Sequence, residues 1–219
     1  MKKIKKLIRK FTPKSILHKY QLMREKFQGV DFSTIVQPEE VGLDSKYVVH
    51  SSPSGNKYLV HLLQDLHITN QDTILDIGCG KGSAMLAMLK FPFARVHGIE
   101  LSKEIAEIAI RNFTNLKKQR WHVFNENAIT YKNYSDYSML YMYHPFPEEI
   151  MRQVVANIHS SIKGKAQEIL LIYNNPVCHE LIVNEGFSKH REYPDEWGNG
   201  IFVYSNKRLQ DSRLNRAAV

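Results

Sequence analysis

A chain of 219 residues, 43% of them hydrophobic, can bury one sizeable core and suits one domain with an appendage better than two full domains. No apolar run reaches about 18 residues, which argues against a membrane-spanning helix, and two cysteines, Cys79 and Cys178, argue against a disulfide framework. The net charge of +8 resembles a nucleic-acid signal until it is located: residues 1–30 carry ten lysines and arginines against Glu25 alone, so the arm holds +9 and residues 31–219 hold −1.

In chain order, the start MKKIKKLIRK places charge where an export signal needs an unbroken apolar stretch, so cytoplasmic residence is expected. Ile4, Leu7, Ile8 and Phe11 recur at the helix period. Thr12-Pro13 then reads as an N-cap followed by proline at the first helical position. The second helix carries an apolar stripe of Ile16, Leu17, Tyr20, Met23 and Phe27 and ends at Gly29. Residues 30–54 read as a connecting segment, and a further helix follows Ser54-Gly55. From residue 72 short apolar runs alternate with helical stretches: TILDIG, ARVHGIE, WHVFNE, YSMLYMY and QEILLIY as strands, then FSKHREY and GIFVYSN as an antiparallel pair. This alternation predicts an α/β fold with a mostly parallel seven-stranded sheet covered on both faces, plus an N-terminal helical extension. The expected boundaries are 1–54 for the arm and connecting segment, 55–207 for the domain, and 208–219 for a polar tail that frays.

The first strand runs into LDIGCGKGS. Gly78, Gly80 and Gly82 alternate, as a chain that turns sharply and lets a ligand approach its backbone requires. The spacing is neither the G-x-G-x-x-G of a nicotinamide-dinucleotide fold nor a P-loop. Asp76 stands just before the loop, where an acid suits an ammonium-bearing ligand better than a pyrophosphate. Glu100, about 20 residues beyond the loop at the second strand tip, is placed to accept from ribose hydroxyls. Together these point to a nucleoside cofactor at the switch point of an open sheet. Cys79, inside the loop, reads as a small packing residue.

ILDIGCGKGSAMLAML, VHGIELSKEIAEIA, NENA and the strand ending YHPFP resemble, in order, the motifs of class I S-adenosylmethionine-dependent methyltransferases over roughly residues 70–180. The resemblance implies S-adenosylmethionine as cofactor, with Glu100 on the ribose, the glycine loop with Asp76 and Cys79 against the methionine part, and Asn127-Ala128 beside the adenine. Relatives usually carry Asp-Ala there, and asparagine still offers a side-chain oxygen to the adenine amino group. The layout is also similar to an uncharacterised bacterial subgroup, distantly Dot1-like, whose members carry DIGCGKG, a strand ending in NPF and a later YNNP. Members of that subgroup often occur near surface-polysaccharide genes, which implies a saccharide or other envelope-precursor hydroxyl as acceptor.

In the resembled fold the fourth strand ends beside the transferable methyl group. Amino methyltransferases place Asn/Asp-Pro-Pro-aromatic there; this chain has His144-Pro145-Phe146. Pro145 and Phe146 match that device, with the aromatic ring expected to pack on the acceptor. His144 departs from it and suits a general base for a hydroxyl, or else a turn-shaping residue. Tyr143 is a candidate wall of the acceptor pocket, which segment 30–54 is expected to close. Tyr173-Asn174-Asn175-Pro176 reads as a turn. The histidines show no metal-ligand spacing, so no metal is expected.

For the basic arm, one reading has the apolar stripe docking on the domain as a lid. The favoured reading lays residues 1–27 peripherally on an anionic membrane at the inner face. A near-neutral body makes nucleic acid an unfavoured partner. Protein or nucleic-acid N-methylation and a non-catalytic cofactor-binding module stand as the rival functions. Oligomeric state is not legible.

Overall fold

The fold is set by which strand faces must be buried. The computed structural model describes residues 13–42 and 53–216, and the amphipathic pattern of residues 4–11 and the stretch 43–52 lie outside them. Seven strands form one sheet: β1 (Thr73–Ile77), β2 (Arg95–Glu100), β3 (Trp121–Asn125), β4 (Met139–Tyr143), β5 (Leu170–Asn174), β6 (Ser188–Tyr193) and β7 (Ile201–Ser205). Their order is β3-β2-β1-β4-β5-β7-β6. The first five run parallel, and β7 pairs antiparallel with both β5 and β6.

Alternation along the central strands sends side chains to two cores. Ile74, Met139, Tyr141 and Ile172 meet α2 (Lys57–Asp65), α3 (Ser83–Met88) and α4 (Lys103–Asn115) on one face. Leu75, Leu140, Met142 and Leu171 meet α5 (Glu148–Ile162) and α6 (His179–Asn184) on the other. The expected α/β sheet with helices on both faces is therefore the one observed.

With its expected N-cap, Thr12, outside the described residues, the N-terminal helix α1 spans Pro13–Gln28. It stops at Gly29, whose φ of 66° lets Val30 N–H turn back 2.9 Å to the carbonyl of Glu25. Its docking departs from the lid reading. Glu25 is buried and accepts from the backbone N–H groups of Phe32 and Ser33, each at 3.1 Å, while Gln21 donates to Ser33 Oγ at 2.7 Å. The stripe stays outside: Leu17, Tyr20, Met23 and Phe27 are 66%, 63%, 69% and 94% exposed. The helix is held by its polar side because a buried carboxylate with several donors satisfies the chain reversal at 29–33.

Two boundaries shift. Val30 and Phe32 are buried in the core with Leu59, Met85 and Phe113, so the start of the connecting segment belongs to the domain. The polar tail does not fray as expected over 208–216. Arg213 pairs with buried Asp72, its N–H donates to Glu168 at 2.9 Å, and Leu214 is 4% exposed in the short helix α7 (Arg213–Arg216).

Candidate active site

The carboxyl ends of β1, β2, β4 and β5 lie side by side, and the loops that leave them build the site. After β1 the glycine loop folds back on β2, with Gly78 and Cys79 N–H both donating to the Ile99 carbonyl at 2.9 Å. Gly78 has φ 75°, and a Cβ there would lie 2.8 Å from Pro145. That close approach brings the His144-Pro145-Phe146 turn against the glycine loop. Gly82 (φ 85°) caps α3, and a Cβ there would strike the Phe113 ring at 2.6 Å. Cys79 Sγ packs where Gly98 lacks a side chain, a Cβ there lying 2.6 Å away, so Cys79 is a packing residue whose buried thiol is pushed well up by desolvation.

The two acids differ. Glu100 accepts from Gly80 N–H at 3.0 Å and from Ser102 N–H at 2.9 Å. Burial pushes its carboxyl up while these backbone donors pull it down. Asp76 is 2% exposed, and its Oδ2 has no hydrogen-bond partner among the described residues. Burial, and then the Glu100 charge, push the Asp76 carboxyl well above its ordinary range. A buried carboxylate oxygen without a partner is half of an interaction. An ammonium group completes it, which fits the amino-acid end of S-adenosylmethionine.

Asn127 lies beyond β3 on an exposed turn, where its Oδ1 accepts from Ile129 N–H at 2.9 Å, and Ala128 is buried beneath it. The asparagine oxygen expected to meet the adenine therefore also braces its own turn.

At the tip of β4, His144 has φ 35°, a left-handed conformation uncommon outside glycine. Its Nδ1 lies 3.0 Å from the Tyr173 hydroxyl, and burial lowers its pKa. Phe146 corrects an expectation: it is 7% exposed and packs in the core with Met151 and Val154 of α5, so its ring is not free to lie on an acceptor. Tyr143 is half-buried on the opposite sheet face. At the tip of β5, Asn174 Nδ2 donates to the buried Tyr141 hydroxyl at 3.0 Å, and Asn175 takes φ 54° before Pro176, the expected turn.

A family profile described as a methyltransferase domain matches residues 74–165. That stretch holds the glycine loop, both acids and the β4 tip. By that match, residues 74–165 are a methyltransferase domain. The fold of this methyltransferase domain is similar to that of several solved enzymes. Mitomycin 7-O-methyltransferase MmcR is 17% identical with a TM-score of 0.56, the match covering 69% of this chain and 53% of that one, so this chain spans about half its length. The methyltransferase yhhF of Escherichia coli is 20% identical with a TM-score of 0.57, covering 73% and 93%. Magnesium protoporphyrin IX methyltransferase of Synechocystis PCC 6803, with bound S-adenosylmethionine, is 14% identical with a TM-score of 0.52, covering 69% and 76%. No curated protein matches the chain in sequence.

Three parts of the methyltransferase site escaped the sequence reading. Lys81, inside the glycine loop, is 4% exposed, pairs with Asp31 at 2.6 Å and donates to the Thr34 carbonyl at 3.0 Å and to the Thr34 hydroxyl. Segment 31–34 thus latches onto the cofactor loop, helped by Asn112, which bonds the backbone of both Asp31 and Lys81. Tyr141 is read from sequence only as a strand residue, yet it sits beside Asp76. The β6–β7 loop also reaches this edge: Asn175 N–H donates to Gly200 O at 3.0 Å, and Trp197, 59% exposed, packs edge-on against Tyr58 with centroids 5.7 Å apart. The alternating glycines, the strand-tip acids and the YHPFP strand end had a sequence signature; these three parts are assembled by topology. Among the described residues no histidine, cysteine and carboxylate group suits a metal.

Proposed function

We propose that this chain methylates a hydroxyl group of a saccharide or envelope-precursor acceptor, with His144 as general base. The observation that carries the reading is the left-handed turn of His144, bonded to Tyr173 and followed by Pro145 packed against Gly78 of the glycine loop. Bound S-adenosylmethionine supplies a methyl carbon already activated by its sulfonium. Asp76 holds the cofactor ammonium, Glu100 the ribose, and Asn127 with Ala128 the adenine edge.

His144 then does one task. With Nδ1–H donating to the Tyr173 hydroxyl, which also accepts from Cys178 N–H at 3.4 Å, Nε2 keeps its lone pair. Nε2 would accept the proton of the acceptor hydroxyl, and bound S-adenosylmethionine would supply the methyl group that the oxygen takes. Burial lowers the His144 pKa, which favours the neutral ring that can accept a proton. Tyr143 and the Trp197–Tyr58 pair supply apolar faces at the same edge for the C–H surface of a sugar ring.

The test has two stages. A thermal-shift titration with S-adenosylmethionine shows stabilisation, as ligand binding to the folded state requires. Cytoplasmic glycan precursors are then screened with labelled methyl donor, and His144→Ala and His144→Asn are compared at several pH values. The expected result is a loss of roughly 10²–10⁴-fold in kcat in both variants. The wild-type rate falls with an acid limb below about pH 6.5, and that limb is absent from the variants' residual rate. Retained turnover in His144→Ala overturns the base assignment. Labelled peptide or nucleic acid in place of glycan installs N-methylation instead.

A further inference from the structure

We infer that α1 is a docking surface for an anionic membrane, lying on it with its apolar stripe inserted and its cations against the headgroups. A surface helix ordinarily buries its apolar face and exposes its polar one. Here the arrangement is reversed. Gln21 and Glu25, one turn apart, hold the helix to the domain, and Leu17, Tyr20, Met23 and Phe27 project from the other side. Leaving four large apolar side chains in water costs free energy that this helix avoids only by entering an apolar phase.

Charge selects the phase. The cations Lys19, Arg24 and Lys26 are exposed on the same helix, and Lys2, Lys3, Lys5, Lys6, Arg9, Lys10 and Lys14 precede or open it. The single acid of residues 1–30, Glu25, is buried and engaged with Phe32 and Ser33. The outer side of α1 therefore presents cations and apolar groups with no acid. A second copy of this chain would set cations against cations. Anionic lipid offers both complements at once, an apolar interior and a negative surface. Residues 29–34 follow α1 directly and latch onto Lys81 in the glycine loop, so the cofactor site is tethered close to the surface.

Full-length protein is sedimented with vesicles of phosphatidylglycerol mixed with phosphatidylcholine, and with phosphatidylcholine alone. The expected result is binding to the anionic vesicles only, weakened by salt. The Leu17→Ser/Met23→Ser/Phe27→Ser variant loses at least about tenfold in vesicle affinity, and Arg24→Gln/Lys26→Gln loses about tenfold. Because the apolar residues touch solvent, both variants keep the wild-type Tm and cofactor-induced shift. Phe27→Glu alone, at the most exposed position, repeats the loss with the least perturbation. Equal binding by wild type and the serine variant overturns the inference, as does no binding to either vesicle. So does a wild-type dimer that the serine variant converts to monomer, which assigns the stripe to a second copy.

Discussion

The site has two halves built from opposite materials. The cofactor half is backbone: three glycines, the Ile99 carbonyl and N–H groups that bind Glu100. The proposed acceptor half is side chains on residues that are not glycine: His144 at φ 35°, bonded to Tyr173, and Asn175 at φ 54°, with Tyr143 and the Trp197–Tyr58 pair as its proposed rim. A backbone site binds one ligand class whatever surrounds it. A side-chain site is set by the few residues that reach it, so the two halves answer different questions about the chain.

If the cofactor half is a preorganised scaffold, its support should matter most for folding. Asp31→Ala removes the partner of a buried ammonium, and Lys81 keeps only the two Thr34 oxygens. The expected loss is about 3 kcal/mol by urea unfolding, and Asp31→Ala/Lys81→Met recovers most of it, since the buried charge is then gone. Additive losses in the double variant would separate the latch from the loop. Burial raises the Asp31 carboxyl, but hydrogen bonds from Lys81 and Thr34 outweigh it, so the group titrates below its ordinary 3.8. Its contribution is complete above that value and is lost as pH falls through the lower folded pKa; Asp31→Ala flattens that part of the stability profile.

Asp76→Asn separates binding from folding. An ammonium meeting an amide instead of a carboxylate weakens S-adenosylmethionine by about 10- to 100-fold. The cofactor-free protein should keep or raise its Tm, because a carboxyl pushed up by burial costs stability above its ordinary value. A lower Tm with unchanged affinity would make Asp76 a structural residue.

Gly78→Ala probes the seam between the halves. Its Cβ meets Pro145 at 2.8 Å and the residue sits at φ 75°, whereas at Gly186 (φ 92°) nothing lies within 4 Å. Both changes strain the backbone by about 1 kcal/mol, but only Gly78→Ala also displaces the His144 turn and lowers kcat. Equal activity in the two alanine variants would uncouple that turn from the glycine loop.

The same contrast explains what was legible. The strands and helices followed from apolar period, and G-x-G-x-G with Glu100 followed from spacing, because backbone sites need particular residues at fixed offsets. Lys81 pairs with Asp31 across 50 residues and Asn175 meets Gly200 across the β5–β7 register, and no local pattern marks either. Phe146 was misread because a motif gives the residue type but not which side of a turn it faces. The stripe of α1 was read correctly as amphipathic, yet period alone does not say which side meets the domain; the buried Glu25 decides that.

The smallest effect tests the acceptor half at its rim. Trp197 is held without being covered. Its N–H closes a turn on Asp195 Oδ1 at 2.8 Å, Glu196 N–H donates to the Tyr58 hydroxyl at 3.1 Å, and the Tyr58 ring stands edge-on to the indole. A large ring with one edge-on aromatic contact, on a segment pinned by two backbone hydrogen bonds and yet 59% exposed, is preformed for a partner that stacks on its face. Trp197→Ala removes that face without touching His144 or Asp76. The KM for the proposed glycan acceptor should rise about 3- to 10-fold, matching an aromatic contact of about 1 kcal/mol, with kcat and S-adenosylmethionine affinity unchanged. A fall in kcat with constant KM would place the indole in the reacting geometry, and the rim would then belong to the half that does the chemistry.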